Sequence, residues 1–253
     1  MQEISTNLNF DLLTPLHGMK KSFIVKDMKV NEKRAAALEA VKYVKNKSVI
    51  GIGTGSTVKP FIEALNERVE KENLEISAIA TSVQSESFLH KNIKIIDFSL
   101  NQAIDLSVDG ADKASKDFYL IKGGGGALLR EKFVALNSKK NITIIDQSKI
   151  ATPLFGFPLP VEIVQFGYQS TLNRLKVLGF YGSLRMVGKK PFITDNGNYI
   201  YDIDLKEPII NPCTFHMDLK ILSGVIETGL FLRTSDIIII GKNDLSVDVW
   251  KKE

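Results

Sequence analysis

The chain has 253 residues, 44% of them hydrophobic and 25% charged, with a net charge of +4 and a pI near 8.9. That length can bury a full core, and so mild a basic excess suits a small anionic ligand better than a nucleic acid, which would need clustered basic stripes. A single cysteine, Cys213, excludes an intrachain disulfide framework, and no apolar run approaches the ~18 residues of a membrane span.

Residues 1–27 show no clean periodicity and no continuous apolar stretch, and they carry Glu3 and Asp11. They read as an N-terminal extension, neither signal nor transit peptide, dispensable for chemistry. The protein is therefore expected to be soluble and cytoplasmic, with Cys213 a small buried hydrophobe.

From Met28 a helix is expected, with Asn31 as N-cap and Ala37, Leu38, Val41 and Val44 as its apolar stripe. SVIGIGTGST is a short strand running into a Gly/Ser/Thr loop, and FIEALNERVEK continues as a helix. ISAIA, IKIIDF, DLSVDGAD and YLIKGGGG read as further strands, TSVQSESFLHK as loop plus helix, and ALLREKFVALN as a helix with Leu129, Phe133 and Leu136 on its apolar side. NITIIDQSK is a buried strand with a polar exit. Strands alternating with helices predict an α/β fold: a mostly parallel, Rossmann-like sheet with helices on both faces.

The style changes near Pro153, where GFPLPVEIV marks a boundary. In FITDNGNYIYDID, Asn196-Gly197 predicts a type I′ hairpin turn. DLKILSGVI reads as a helix, and the run Ile237–Ile240 as a strand returning to the main sheet. The expected organisation is a catalytic α/β domain over 28–156 plus 228–253 and a smaller α+β domain over 157–227.

Three polar loops follow predicted strands, where ligands bind in such sheets. Gly53-Thr54-Gly55-Ser56-Thr57 offers bare backbone N–H groups and hydroxyls at a helix start. It serves either as a phosphate-binding loop or as a structural tight turn. Asp109-Gly110-Ala111-Asp112 sets two carboxylates three residues apart, for acid–base work or as an Asx-turn or cap. Lys122 precedes four glycines, Gly123 to Gly126, which together cost about 2–4 kcal/mol relative to alanine. Such a run implies that backbone must come close to something. Glu131, on the following helix, points away from the expected stripe and is either a loop-facing base or a solvated surface residue. Lys149 supplies a further cation, while His17, His90 and His216 form no motif and read as structural or surface residues. No His/Cys cluster accompanies these loops, so no metal is expected.

The order GTGST, TS-x-Q, DGAD, KGGGGALLREK, D-x-SK, FPLPVE, TDNGN and TGLF resembles the type A ribose-5-phosphate isomerase family, over nearly everything from Met28 onward. The resemblance implies interconversion of ribose 5-phosphate and ribulose 5-phosphate in the non-oxidative pentose phosphate pathway, without cofactor, by a homodimer or homotetramer that binds neither nucleic acid nor membrane. It implies Glu131 as catalytic base, with Asp109, Asp112 and Lys122 as its catalytic companions. It implies Thr54, Gly55, Ser56, Thr57, Gly110, Ala111, Gly123, Gly124, Gly125, Lys149 and, more loosely, Lys33 as substrate contacts. Lys113 departs from the family pattern, which has an acidic residue after DGAD. Two other readings remain at this stage: a CoA transferase, in which the Glu is a nucleophile, and a sugar-phosphate sensor, which would normally carry a helix-turn-helix segment that residues 1–27 do not resemble.

Overall fold

The computed structural model describes residues 30–98 and 103–253. Residues 30–40 form helix α1, followed by β1 (Val49–Ile52), α2 (Val58–Glu72), β2 (Ser77–Ala80), α3 (Val83–Glu86), β3 (Lys94–Ile95) and β4 (Leu106–Gly110). Next come β5 (Lys113–Ala114), β6 (Tyr119–Ile121), α4 (Leu128–Leu136) and β7 (Asn141–Asp146), then β8 (Leu159–Ile163), α5 (Tyr168–Val177), β9 (Gly182–Leu184), β10 (Met186–Val187), β11 (Lys190–Pro191) and β12 (Tyr199–Ile203). The chain closes with α6 (Pro212–Lys220), β13 (Val225–Thr228), β14 (Leu230–Leu232), β15 (Ile237–Gly241) and β16 (Val247–Lys251).

The main sheet has the order β16-β15-β7-β4-β1-β2-β3 and is parallel except for the antiparallel edge strand β16. Its central strands are apolar on both sides because both sides are covered. Ile142, Ile144, Ile237 and Ile239 face one core with α1 and α2, while Ile145, Ile238 and Ile240 face the other. Helix α4 lies on this second face, close enough to β1 that a Cβ on Gly51 would stand 2.4 Å from Val134 Cγ1. Only glycine allows that approach.

Two antiparallel sheets complete the fold, in the orders β13-β8-β12-β9 and β14-β6-β5. The first buries Leu159, Val161 and Ile163 against Leu175 of α5 and Leu219 of α6. The second links the cores: Ile121 and Leu230 belong to one, Leu120 and Phe231 to the other.

Several expectations need correction. Asn31 lies inside α1 and does not cap it, and Leu38 is 46% exposed; the buried face is Ala36, Ala37 and Ala40. On α4, Phe133 and Leu136 are exposed and the inner face is Leu128, Glu131, Lys132 and Val134. The strand before the glycine run, β6, is antiparallel and outside the main sheet. The strand expected in IKIIDF shrinks to Lys94–Ile95. The helix expected over DLKILSGVI ends at Lys220, and Val225 and Ile226 are already strand. Asn196-Gly197 does sit in a tight turn, but not in a hairpin between paired strands, since β11 is paired with β10 and β12 with β8 and β9. A three-residue loop is closed by Thr194 N–H to Asn198 O and Gly197 N–H to Thr194 O, and only Gly197 of the pair has a positive φ (77°). Cys213 is exposed. Ile237–Ile240 does rejoin the main sheet, beside β7. Residues 1–27 and His17 lie outside the described residues.

Candidate active site

A cleft of about 250 Å³ opens where β1, β4 and β7 end and the glycine run passes. Thr54, Gly55, Ser56 and Thr57 line it from the exit of β1, and Gly110, Ala111 and Asp112 from that of β4. Lys122, Gly123, Gly124, Gly125 and Glu131 line it from β6 and α4, and Lys149 from beyond β7. The three loops singled out in the sequence thus meet in one cleft. A larger basin, about 560 Å³, lies at the opposite ends of β1 and β4 among Lys42, Lys45, Lys47, Lys139, Lys140 and Asp105. Its charged groups are all at least partly exposed, and nothing there is arranged for chemistry.

At the floor of the cleft, Lys122 is buried. Its Nζ donates to Gly110 O at 2.5 Å, pairs with Asp109 Oδ2 at 2.8 Å and lies 3.3 Å from Glu131 Oε2. The last contact is an ion pair without hydrogen-bond alignment, so Glu131 Oε2 has no hydrogen-bond partner among the described residues. Asp109 sits behind the cleft and does not line it; its Oδ1 accepts from Thr54 N–H (3.2 Å) and Gly110 N–H (2.7 Å). This approach requires Gly53, because a Cβ there would lie 1.8 Å from Asp109 Oδ1.

Burial first, and then the nearby Asp109 carboxylate, push the Glu131 carboxyl up to about 8, with Lys122 opposing both. Burial likewise raises Asp109 against the pull of Lys122. Desolvation, not the neighbouring Asp112, is the main cause, which corrects the reading drawn from the Asp-x-x-Asp spacing. Lys122 is the reverse case. Burial alone would lower it, but Asp109 and Glu131 outweigh burial and hold the ammonium above its usual range. The result is a fixed cation beside a carboxyl poised near neutrality.

The glycines now have reasons. Gly123 (φ 95°) and Gly126 (φ 84°) adopt backbone that side chains avoid. A Cβ on Gly124 would meet Asp112 Oδ1 at 2.6 Å, where Gly124 N–H donates to Asp112 Oδ2 at 2.8 Å. Opposite, the GTGST loop turns into the N-terminus of the fifteen-residue α2. The N–H groups of Ser56 and Thr57 have no acceptor among the described residues. The Thr54 hydroxyl is tied to Thr81 (2.8 Å) and Ser82 (2.9 Å) of the TS-x-Q stretch, so that motif braces the loop. Lys33 is not a lining residue, but its Nζ donates to Ser56 Oγ at 2.8 Å. Lys149 ends a 3-10 turn capped by the buried Asp146. Lys113 points out of the cleft and donates to Ser148 O at 3.1 Å. His90 and His216 lie elsewhere: His90 accepts from Asn92 N–H and His216 bonds Thr228 Oγ1.

Sequence reasoning missed Lys132 and Arg185. Lys132 is buried with its Nζ on Glu227 Oε1, Thr228 O and Leu230 O, and it lies 4.8 Å from the Phe231 ring centroid. This gives the TGLF stretch a place: it seats α4 beneath the cleft. No spacing rule marks a lysine as buried, and the mistaken apolar stripe hid this one.

Fold and site together define an open α/β-sheet protein with a buried Lys–Asp–Glu cluster beside a helix start whose leading N–H groups have no acceptor among the described residues. A family model described as ribose 5-phosphate isomerase A (phosphoriboisomerase A) matches residues 77–245. The ribose-5-phosphate isomerase A of Bacillus mycoides is 47% identical over 84% of this chain and 96% of its own length. That of Protochlamydia amoebophila is 45% identical over 84% and 92%. Among solved structures, ribose 5-phosphate isomerase from Plasmodium falciparum superposes with a TM-score of 0.83 at 34% identity, covering 87% of this chain and 98% of that one. A D-ribose-5-phosphate isomerase in complex with phospho-erythronic acid gives 0.82 at 34%, covering 87% and 97%. The chain belongs to the ribose 5-phosphate isomerase A family.

Proposed function

We propose that this protein interconverts D-ribose 5-phosphate and D-ribulose 5-phosphate through an enediolate, with Glu131 as the base. The observation that carries the assignment of the base is a buried carboxyl, raised to about 8, 3.3 Å from a buried ammonium at the floor of a cleft of about 250 Å³. In the open-chain sugar, Glu131 takes the proton from C2 and the electron pair moves through C1 onto O1. Lys122 faces the developing oxyanion, an interaction of the kind worth about 3–4 kcal/mol per well-placed donor. The hydroxyl proton passes from O2 to O1, C2 becomes the carbonyl, and Glu131 returns its proton to C1. Asp112, on the cleft wall, is assigned ring opening and hydroxyl proton transfer, and Asp109, behind the wall, acts through its ion pair with Lys122.

The phosphate is assigned to the GTGST loop and Lys149, with Lys33 acting through Ser56, because this end of the cleft offers N–H donors, hydroxyls and cations. The phospho-erythronic acid held by the relative is a phosphorylated four-carbon acid, and it suits the same arrangement here: phosphate at one end, planar anionic group at the other. Metal is not required in this scheme, since Lys122 already supplies the charge; overnight chelation leaves turnover intact if this is right. We also propose a cytoplasmic homodimer or homotetramer organised as the two domains 28–156 plus 228–253 and 157–227. Support for assembly comes from exposed apolar side chains such as Phe166 (95%), Val177 (86%) and Ile210 (83%), which light scattering in solution would test. The direct test of function is ribulose 5-phosphate formation from ribose 5-phosphate by the purified protein. A protein that binds the sugar phosphate without converting it would be a sensor instead.

A further inference from the structure

We infer that Arg185 is a positioning residue for the glycine run: it holds two peptide planes so that their N–H groups face the cleft. Arg185 stands between β9 and β10, outside the segments that line the cleft, and its side chain is only 17% exposed. Its Nε and Nη2 grip Asp202 of β12 at 2.8 and 2.5 Å. That fork leaves Nη1 to donate to Gly123 O at 2.9 Å and Gly124 O at 3.1 Å. A trans peptide sets C=O and the next N–H in opposite directions. Pulling the Gly123 carbonyl toward Arg185 therefore turns Gly124 N–H the other way, where it holds Asp112 Oδ2 at 2.8 Å. Pulling the Gly124 carbonyl does the same for Gly125 N–H, which has no acceptor among the described residues and belongs to a cleft-lining residue.

The geometry needs arginine specifically. One guanidinium serves a carboxylate with one edge and two carbonyls with a remaining N–H group, and a lysine ammonium has no such fork. The guanidinium also lies over the Phe192 ring, 5.8 Å from its centroid, and that ring fills the space a Cβ on Gly126 would occupy at 2.5 Å. Arg185 and Phe192 thus form one support beneath the glycine turn, contributed by the chain beyond Pro153. The Gly123 carbonyl also accepts from Gly126 N–H at 2.9 Å, so Arg185 reinforces that turn bond at the first peptide, while at the Gly124 carbonyl it is the donor that sets the second.

This inference rests on the isomerase reading, and the test separates the two. Initial rates on ribose 5-phosphate are measured for the parent protein, Arg185→Ala and Arg185→Lys, with melting curves for each. The parent must turn over; an inactive parent counts against the isomerase reading itself. In Arg185→Ala, kcat is expected to fall about 10²-fold, the scale of one lost oxyanion donor, with a smaller change in KM. Millimolar guanidinium should restore part of that loss and methylammonium should not. Arg185→Lys keeps a charge beside Asp202 and is expected to melt near the parent yet show the low kcat; it decides the matter if the alanine variant does not fold. Parental kcat in either folded variant, or an alanine-variant loss that guanidinium does not relieve, overturns the inference.

Discussion

At the scale of single residues, the proposed chemistry rests on Glu131, Lys122 and Asp109 sharing one buried site. Glu131 must be deprotonated to accept a proton from carbon, so kcat/KM should rise with pH through a limb far above the ordinary carboxylate range, near about 8. Asp109 is one of the causes that raise Glu131, so Asp109→Asn should move that limb toward lower pH even as it lowers the rate. An unmoved limb would assign the titration to another group. The same shift bears on stability. Between its ordinary 4.5 and about 8, Glu131 holds a proton in the folded state that the unfolded chain has released, so its contribution is full below 4.5 and is lost as pH rises through 8. Glu131→Gln removes this loss, and its melting temperature should fall less than the parent's between pH 5 and 8. The residue types of the site were legible in the sequence because chemistry dictates them: a lysine, a glycine run and a glutamate in close succession. What was not legible is burial. Asp109 looked like half of a carboxylate pair with Asp112, yet the fold puts one behind the cleft and the other on its wall.

At the scale of the element, α4 shows why the apolar pattern misled. Leu129, Phe133 and Leu136 are apolar at helical spacing, but Phe133 and Leu136 are exposed, and the inner face carries Glu131 and Lys132. A helix that brings a carboxyl to a buried cleft must turn a polar residue inward, and the apolar stripe then fails as a guide to the core. The inner face makes a contrast that calorimetry can read. Leu128→Ala should cost about 2–5 kcal/mol of stability, as for a fully buried leucine, whereas Phe133→Ser, at a half-exposed site, should cost far less. Equal costs would restore the original stripe. The strands were easier to read, because β7 and β15 are apolar on both faces and little else makes such runs. β3 and the 218–226 segment were harder: their patterns are short, and the outcome depends on neighbours far away in sequence.

At the scale of the whole molecule, function comes from convergence. The exits of β1, β4 and β7 share the cleft because parallel strands end at one edge of the sheet, and that much follows from strand–helix alternation alone. The contribution of the β14-β6-β5 sheet does not follow from it, since β6 was expected beside the others. The division of labour across the cleft can be separated kinetically. Lys149→Ala should raise KM for ribose 5-phosphate strongly while leaving the slow turnover of unphosphorylated ribose nearly unchanged; equal losses on both would remove Lys149 from the phosphate site. The central claim is that Glu131 moves a carbon-bound proton, and isotope exchange in heavy water reads it directly. The parent should place deuterium at C1 of ribulose 5-phosphate or C2 of ribose 5-phosphate, and Glu131→Gln should lose on the order of 10²–10⁴ in both exchange and kcat with little change in substrate binding. Parental exchange and turnover in Glu131→Gln would contradict the account.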